Sequence, residues 1–166
     1  MRIEDNWPEI KQVVAKGQAS TLHCAIASVA ADGTPNVTPV GTVFLRDDQT
    51  GFYFDQYTSA LAQNVDAGSS ICLMAVNAGK GFWQRSLFAG RFISPPGIRL
   101  YGTVGELRAA LPEELERVRQ RVRPTRWLKG SRLIWSDFTH VRDIHFTSCR
   151  PVSYPRMMDG LWEKCL

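Results

Sequence analysis

The side chains best placed for chemistry stand together in the stretch PVGTVFLRDDQTGFYFDQYTSALAQNV (39–65). A strand-like run ending in FYFDQY leads directly into the hydroxyl pair Thr58-Ser59, at the start of a short amphipathic segment. A helix N-terminus presents free N–H groups and the positive end of a dipole, which suits an anion such as a phosphate. Two hydroxyls at that point add donors. Upstream, Gly41 carries no side chain, so a flat ring could lie against the backbone there and exchange hydrogen bonds with its N–H and C=O groups. The same residues have ordinary uses. Ser or Thr at a helix start is a common N-cap, and a glycine within a strand often marks a bulge. The residues alone leave both readings open.

Other constellations carry less. Cys24, Cys72, Cys149 and Cys165 form no CxxC pair, and three of them sit in strand-like apolar runs, where a thiol behaves as a small hydrophobe. His23 adjoins Cys24, but successive strand residues point to opposite faces, and His140 and His145 are five apart, also on opposite faces of a regular strand. No metal site is expected, because a zinc centre needs clustered Cys or His ligands. No Ser-His-Asp set and no carboxylate pair stands at a telling spacing, so no general acid or base is assigned. Arg117, Arg119, Arg121, Arg123, Arg126, Lys129 and Arg132 make the one basic concentration. It reads as a solvated helix face and a basic loop rather than a nucleic-acid footprint. Trp127 is the one aromatic interleaved with those cations, so stacking support for a nucleic acid is thin.

These residues need elements to hold them. A first helix is expected over Trp7 to Lys16, with Asn6 as its cap, Pro8 in its first turn, Ile10, Val13 and Val14 as its apolar stripe, and Gly17 as its stop. Strands follow at Thr21 to Ala31 and Asn36 to Arg46, joined by the hairpin signal Asp32-Gly33. Pro35 and Pro39 place the second of these at an edge or a bulge. A turn at 47–51 leads to a strand over Phe52 to Asp55, then to the helix Thr58 to Val65. SICLMAV (70–76) is continuously apolar and predicts a strand buried on both faces. Residues 77 to 96 hold three glycines and several aromatics; a short helix over Phe82 to Phe88 is expected there, with Phe82, Trp83 and Phe88 either covering a flat substrate or packing as a small satellite core. A strand over Ile98 to Leu107, a helix over Leu111 to Val122, and strands over Arg132 to Phe138 and His140 to Ser148 complete the pattern, before an irregular tail.

At 166 residues, with 44% hydrophobic residues and a net charge of +4, the chain suits one domain with a packed core. No apolar run approaches the roughly 18 residues of a membrane span, and MRIEDNWPEIKQVV lacks the apolar centre of a signal peptide. A soluble, cytoplasmic protein is expected. Mostly antiparallel strands with inserted helices, and edges that must be hidden, predict an α+β fold built on a small barrel with peripheral helices.

The order of these motifs resembles the pyridoxamine 5'-phosphate oxidase-like family of FMN-binding split β-barrels. The residues that carry the resemblance are AIASVAADGTPNVTPVGTVF (25–44), FYFDQYTSALAQNV (52–65) and SICLMAV (70–76), continued by IRLYGTVGEL (98–107) and the acidic-then-basic helix after it. The resemblance implies a single split-barrel domain over 1–166, a homodimer, and FMN in a groove at the dimer interface. Carried over by position, Pro39, Val40, Gly41 and Thr42 would line the flavin ring. Tyr57, Thr58 and Ser59 would approach its phosphate, Asn64 would hold the helix, and Arg99 would reach the flavin from the partner subunit. The implied function is an FMN-dependent oxidoreductase acting on a small molecule, or a flavin- or haem-binding sensor or storage protein without turnover. Where many relatives have a Ser-Arg-Lys-like run, this chain has Ser59-Ala60-Leu61, with Gln63 before Asn64. The phosphate thus loses its usual charged clamp, and a charge-assisted hydrogen bond is roughly twice as strong as a neutral one. Either another cation substitutes, with Arg46, Lys80, Arg85 and Arg91 available, or the ligand is FAD, a deazaflavin or haem, or there is none.

Overall fold

The computed structural model describes residues 2–125, 127, 130, 138–154, 156–158 and 161. Helix α1 (Trp7–Thr21) is followed by strands β1 (Cys24–Val29), β2 (Pro35–Val40), β3 (Val43–Leu45) and β4 (Thr50–Phe54). Helix α2 (Ser59–Asp66), β5 (Ile71–Val76), α3 (Lys80–Ala89), β6 (Gly97–Ala109), α4 (Pro112–Val122) and β7 (His140–Pro151) come after. The described strands form one antiparallel sheet in the order β2-β1-β5-β6-β7-β4-β3. Its two edge strands, β2 and β3, are separated by Gly41 and Thr42 alone. Three residue steps reach at most about 11 Å, so the sheet's opposite edges are tied together and the sheet curls into a barrel. This is the expected α+β split barrel.

Period-2 alternation builds the interior. Cys24 and Ile26 of β1, Ile71, Leu73 and Ala75 of β5, Ile98 and Leu100 of β6, and Ile144 and Phe146 of β7 face inward in one cluster. Trp7, Ile10, Val13 and Val14 form the stripe by which α1 closes it. Burying each such side chain contributes about 1.5–3 kcal/mol. The Trp7 indole N–H also donates to the carbonyl of Arg46 at 2.8 Å, which ties α1 to the end of β3. A second cluster, Phe44, Phe52, Phe54, Val118 and Val141, lies where α4 covers the other side of β3, β4 and β7. The outward face of β2, β1 and β5 is different: Val37 is 65% exposed, Val29 49% and Met74 36%.

The structure departs from the sequence expectations at four places. Gly17 does not end α1; a Cβ there would lie 3.0 Å from the amide nitrogen of Val76, so the glycine lets the helix press onto β5. The helix ends at Leu22, in the left-handed conformation, whose N–H bonds Gln18. The strand expected over 36–46 breaks at Gly41-Thr42 into β2 and β3, at the corner that closes the barrel. SICLMAV is buried on one face, not two: Ile71, Leu73 and Ala75 face the core, whereas Cys72 and Val76 are half-buried and Met74 is exposed. The caps also differ, since neither Asn6 nor Thr58 caps its helix with its side chain. The helix expected in 77–96 forms over Lys80–Ala89. The strand expected over Arg132 to Phe138 lies almost wholly outside the described residues, as do Arg126, Lys129 and Cys165. Among the described residues, no helix is long and apolar enough to cross a membrane.

Candidate functional site

The bend between β2 and β3 holds the first group of expected site residues. Gly41 and Thr42 line a cleft of about 570 Å³ with Val14, Gln18, Phe44 and Arg121. The carbonyl of Gly41 accepts from the Gln18 side-chain amide at 3.0 Å and from the Arg121 guanidinium at 3.1 Å. Arg121 also donates to the carbonyl of Val43 at 3.1 Å and stacks 4.1 Å from the centre of the Phe44 ring. A carbonyl has two lone pairs, so Gly41 has no acceptor left over for a ligand. Val40 points the other way, into the core, at 3% exposure.

The second group surrounds the start of α2. Tyr57 is exposed and has a left-handed backbone (φ 62), which turns the chain from β4 into the helix. Thr58 is buried in the N-cap position, yet its hydroxyl donates to the Asp55 carboxylate instead of accepting from the helix. Ser59 is exposed. Asn64 is buried, and its side-chain amide donates to the Ser28 hydroxyl at 2.9 Å, which pins α2 to β1. Behind Asp55 lies Arg142, 4% exposed. Its Nε meets Asp55 at 2.5 Å and its Nη1 meets Asp66 at 2.7 Å.

Arg142 pairs Asp55, just before α2, and Asp66, at the helix's far end, so Asp55 is neutralised, and the first turn itself holds no Lys or Arg. Helical geometry leaves the first N–H groups without intrahelical partners, and no side chain caps them here. The hydrogen-bond geometry of this helix start therefore fits an anion. What its first turn lacks is a cation to balance a phosphate dianion.

The third group lies on the outward face of the sheet. Cross-strand pairing places Pro39, Ala25, Met74, Arg99 and Arg150 in one row across β2, β1, β5, β6 and β7. The neighbouring row is Val37, Ala27, Cys72, Tyr101 and Ser148. Pro39 and Arg99 thus share a face, three strand spacings apart. Eight of the nine expected residues fall in three places within one chain, the bend, helix α2 with the turn before it, and the outward face, while the ninth, Val40, lies inside the core.

The substitute cations sort differently. Arg46 is held by Glu114 at 2.8 Å and Asp143 at 2.7 Å, beside Arg108, which bonds the same two carboxylates. Lys80 and Arg85 lie exposed on α3, and Arg91 just after it. Phe82, Trp83, Phe92 and Tyr154 pack as a satellite aromatic cluster, whereas Phe88 is 94% exposed. No group of His, Cys, Asp or Glu suited to a metal occurs among the described residues. Burial pushes the Cys24 thiol up to about 12, so it is no nucleophile at neutral pH.

Sequence reasoning missed Asp55, Arg142 and Arg150. A signal existed for Arg142: in HVRDIHF it alternates with Ile144 and Phe146, so it must face inward, and an inward arginine requires a carboxylate partner.

Comparison with known proteins adds the lineage. The family described as pyridoxamine 5'-phosphate oxidase matches residues 8–145. Among solved structures, an FMN-binding protein from Syntrophomonas wolfei is similar at a TM-score of 0.63 and 12% identity, over 92% of this chain and 91% of that one. HupZ from Group A Streptococcus is similar at a TM-score of 0.56 and 18% identity, over 87% of this chain and 92% of that one. The heme storage protein HutZ from Vibrio cholerae is similar at a TM-score of 0.51 and 13% identity, over 91% and 95% respectively. At these identities the likeness is one of fold. No curated protein matches the sequence.

Proposed function

The chain belongs to the pyridoxamine 5'-phosphate oxidase family, and on that footing we propose that it is a cytoplasmic FMN-dependent oxidoreductase acting on a small molecule. It works as a homodimer with the flavin at the interface. A flavin, when bound, supplies the electron and hydride chemistry itself, while the protein contributes binding, orientation and electrostatics. The observation that carries this reading is the uncapped start of α2. Thr58 turns its hydroxyl to Asp55, so the ordinary cap that the sequence equally allowed is not formed. The first-turn N–H groups remain for a ligand's anion, beside the exposed Ser59 hydroxyl. An FMN-binding protein of the same fold supports the choice of cofactor. The exposed apolar residues of β2, β1 and β5 support a subunit contact on the outward face.

The second reading is a flavin- or haem-binding storage or sensor protein without turnover. It is favoured by the missing cation at α2 and by the shared fold with a heme storage protein. FAD or a deazaflavin would also change the demand at the α2 start. The visible spectrum of the purified protein separates these readings. Flavin bands released by acid, with faster flavin reoxidation in the presence of an electron donor, support the oxidoreductase. A Soret band, or bound flavin without turnover, supports the second reading. A colourless protein that takes up neither added FMN nor haem overturns both.

A further inference from the structure

Arg99 and Arg150 stand directly opposite each other on β6 and β7, both on the outward face of the sheet. Like charges in directly opposed positions destabilise a sheet. Three arginines packed against the strands, Arg46, Arg108 and Arg142, each hold two carboxylates, whereas Arg121 is met by the Gly41 and Val43 carbonyls and the Phe44 ring. Arg99 and Arg150 hold none among the described residues. The two rows that contain and flank them, Pro39-Ala25-Met74-Arg99-Arg150 and Val37-Ala27-Cys72-Tyr101-Ser148, include no Asp or Glu. The polar side chains in those rows are two guanidiniums, two hydroxyls and a thiol; the rest are apolar. This face offers donors and positive charge at one end and a flat apolar shelf at the other. It suits a molecule with an anionic end and an apolar body.

The α2 start has the complementary defect, with open N–H groups but no cation. If the outward face packs against a second subunit, two unpaired guanidiniums would be drawn out of water there. Desolvating an uncompensated charge is unfavourable, so such packing calls for a counter-anion, and the described residues of these rows have none to offer.

We propose that, across the dimer interface, Arg99 and Arg150 of one subunit together clamp the phosphate of the flavin seated at the α2 start of the other, supplying the cations that this start lacks. The assignment rests on the flavin reading above and adds Arg150, which the family resemblance did not mark. Arginine suits the role, because its planar fork binds phosphate oxygens in pairs.

The test compares FMN with riboflavin, which has the same ring and no phosphate, by fluorescence titration of the full chain. The wild-type protein should bind FMN far more tightly than riboflavin. Arg99→Gln and Arg150→Gln should each lower FMN affinity about tenfold, the fold-change of one charge-assisted hydrogen bond. The double variant should lose most of the preference for FMN, keeping only what the α2 N–H groups supply, with riboflavin affinity unchanged from wild type. Circular dichroism of each variant checks that the outward-facing substitutions leave the fold intact. If the double variant keeps the full preference for FMN, the clamp is wrong while the flavin reading stands. If the wild-type protein binds neither flavin, the flavin reading fails and the clamp fails with it.

Discussion

The Thr58 hydroxyl is bonded to the Asp55 carboxylate, three residues back across the turn into α2. That bond removes Thr58 from the set of ligand donors and leaves Ser59 as the free hydroxyl of the pair. Thr58→Ala should therefore lower stability by about 2 kcal/mol, the worth of a hydrogen bond to a charged group, while FMN affinity stays within about twofold. Ser59→Arg should tighten FMN, because it puts a cation beside the open N–H groups. Urea unfolding and FMN titration of the two variants check both statements. Loss of FMN binding in Thr58→Ala with the fold intact would return Thr58 to the site.

Arg142 is the hinge of the same region, holding Asp55 from β4 and Asp66 from α2. Removing one member of a buried ion pair leaves the other charge uncompensated, at a cost of about 3–5 kcal/mol. Arg142→Met should lose stability of that order. Asp66→Asn should cost much less, because Asp66 is 61% exposed and water can replace its partner. Equilibrium denaturation of the two variants gives the comparison. Equal losses would contradict the assigned asymmetry.

The Arg46-Arg108-Glu114-Asp143 network predicts an acid limb of stability. Hydrogen bonds from Arg108 hold the Asp143 carboxyl below its ordinary range, against the opposing effect of burial, with Arg46 assisting. Burial acts to raise Glu114, but Arg108, the Leu111 N–H and Arg46 outweigh it, and the net shift is downward. A carboxylate with a lowered folded-state pKa stabilises the protein above its unfolded value, near pH 4, and loses that contribution as pH falls through the folded value. The thermal midpoint should therefore fall on acidification below about pH 4. The fall should be shallower in Asp143→Asn. Calorimetry across pH 2 to 6, roughly the range of carboxylate titration, measures it.

Much of this architecture was legible because it is written in short-range patterns. Asp32-Gly33 marks the first hairpin, with Gly33 at φ 86. Pro35 and Pro39 mark an edge strand, and alternation marks β1 and the core face of β6. What stayed hidden depends on contacts between distant segments. Arg46 meets Asp143 97 residues later, and no local signal pairs them. Gly17 looks like a helix stop in sequence and is in fact a contact point, because its role is set by a strand about sixty residues on. SICLMAV reads as doubly buried because an apolar run does not reveal whether its second side faces the protein's own core or the outside. The site was harder still. Its hydroxyl pair was visible, but which hydroxyl is free depends on Asp55, and the two cations proposed for it stand side by side only because β6 and β7 are neighbours.

Gly102 offers a test of the barrel geometry itself. It sits at the irregularity between Tyr101 and Gly102, where β6 shifts register against β7, and a Cβ there would strike the backbone carbonyl of His145. A backbone atom of the neighbouring strand cannot swing aside as a side chain can. Gly102→Ala should cost about 3 kcal/mol through overpacking, or leave the protein unfolded at growth temperature. Gly105→Ala, whose Cβ would meet Asp143 at an ordinary 3.7 Å, should be nearly neutral. Denaturation midpoints for the pair decide whether the irregularity is a packing requirement.

The outward face of β2, β1 and β5 should carry the subunit contact. Val37, Val29 and Met74 are exposed there, on strands flanked by the half-buried Ala25, Ala27 and Cys72. A stable interface needs roughly 800 Å² from each partner, and this is the broad apolar sheet surface that the described helices leave uncovered. Wild-type protein should sediment as a dimer. Val37→Lys with Met74→Lys places four like charges in a two-fold contact and should give a folded monomer. Because Cys72 and Arg99 share that face, the monomer should also lose FMN and should expose Cys72 to alkylation, read by mass spectrometry at that residue. A wild-type monomer that binds FMN would move the cofactor off the interface. A double variant that stays dimeric would place the contact on another surface.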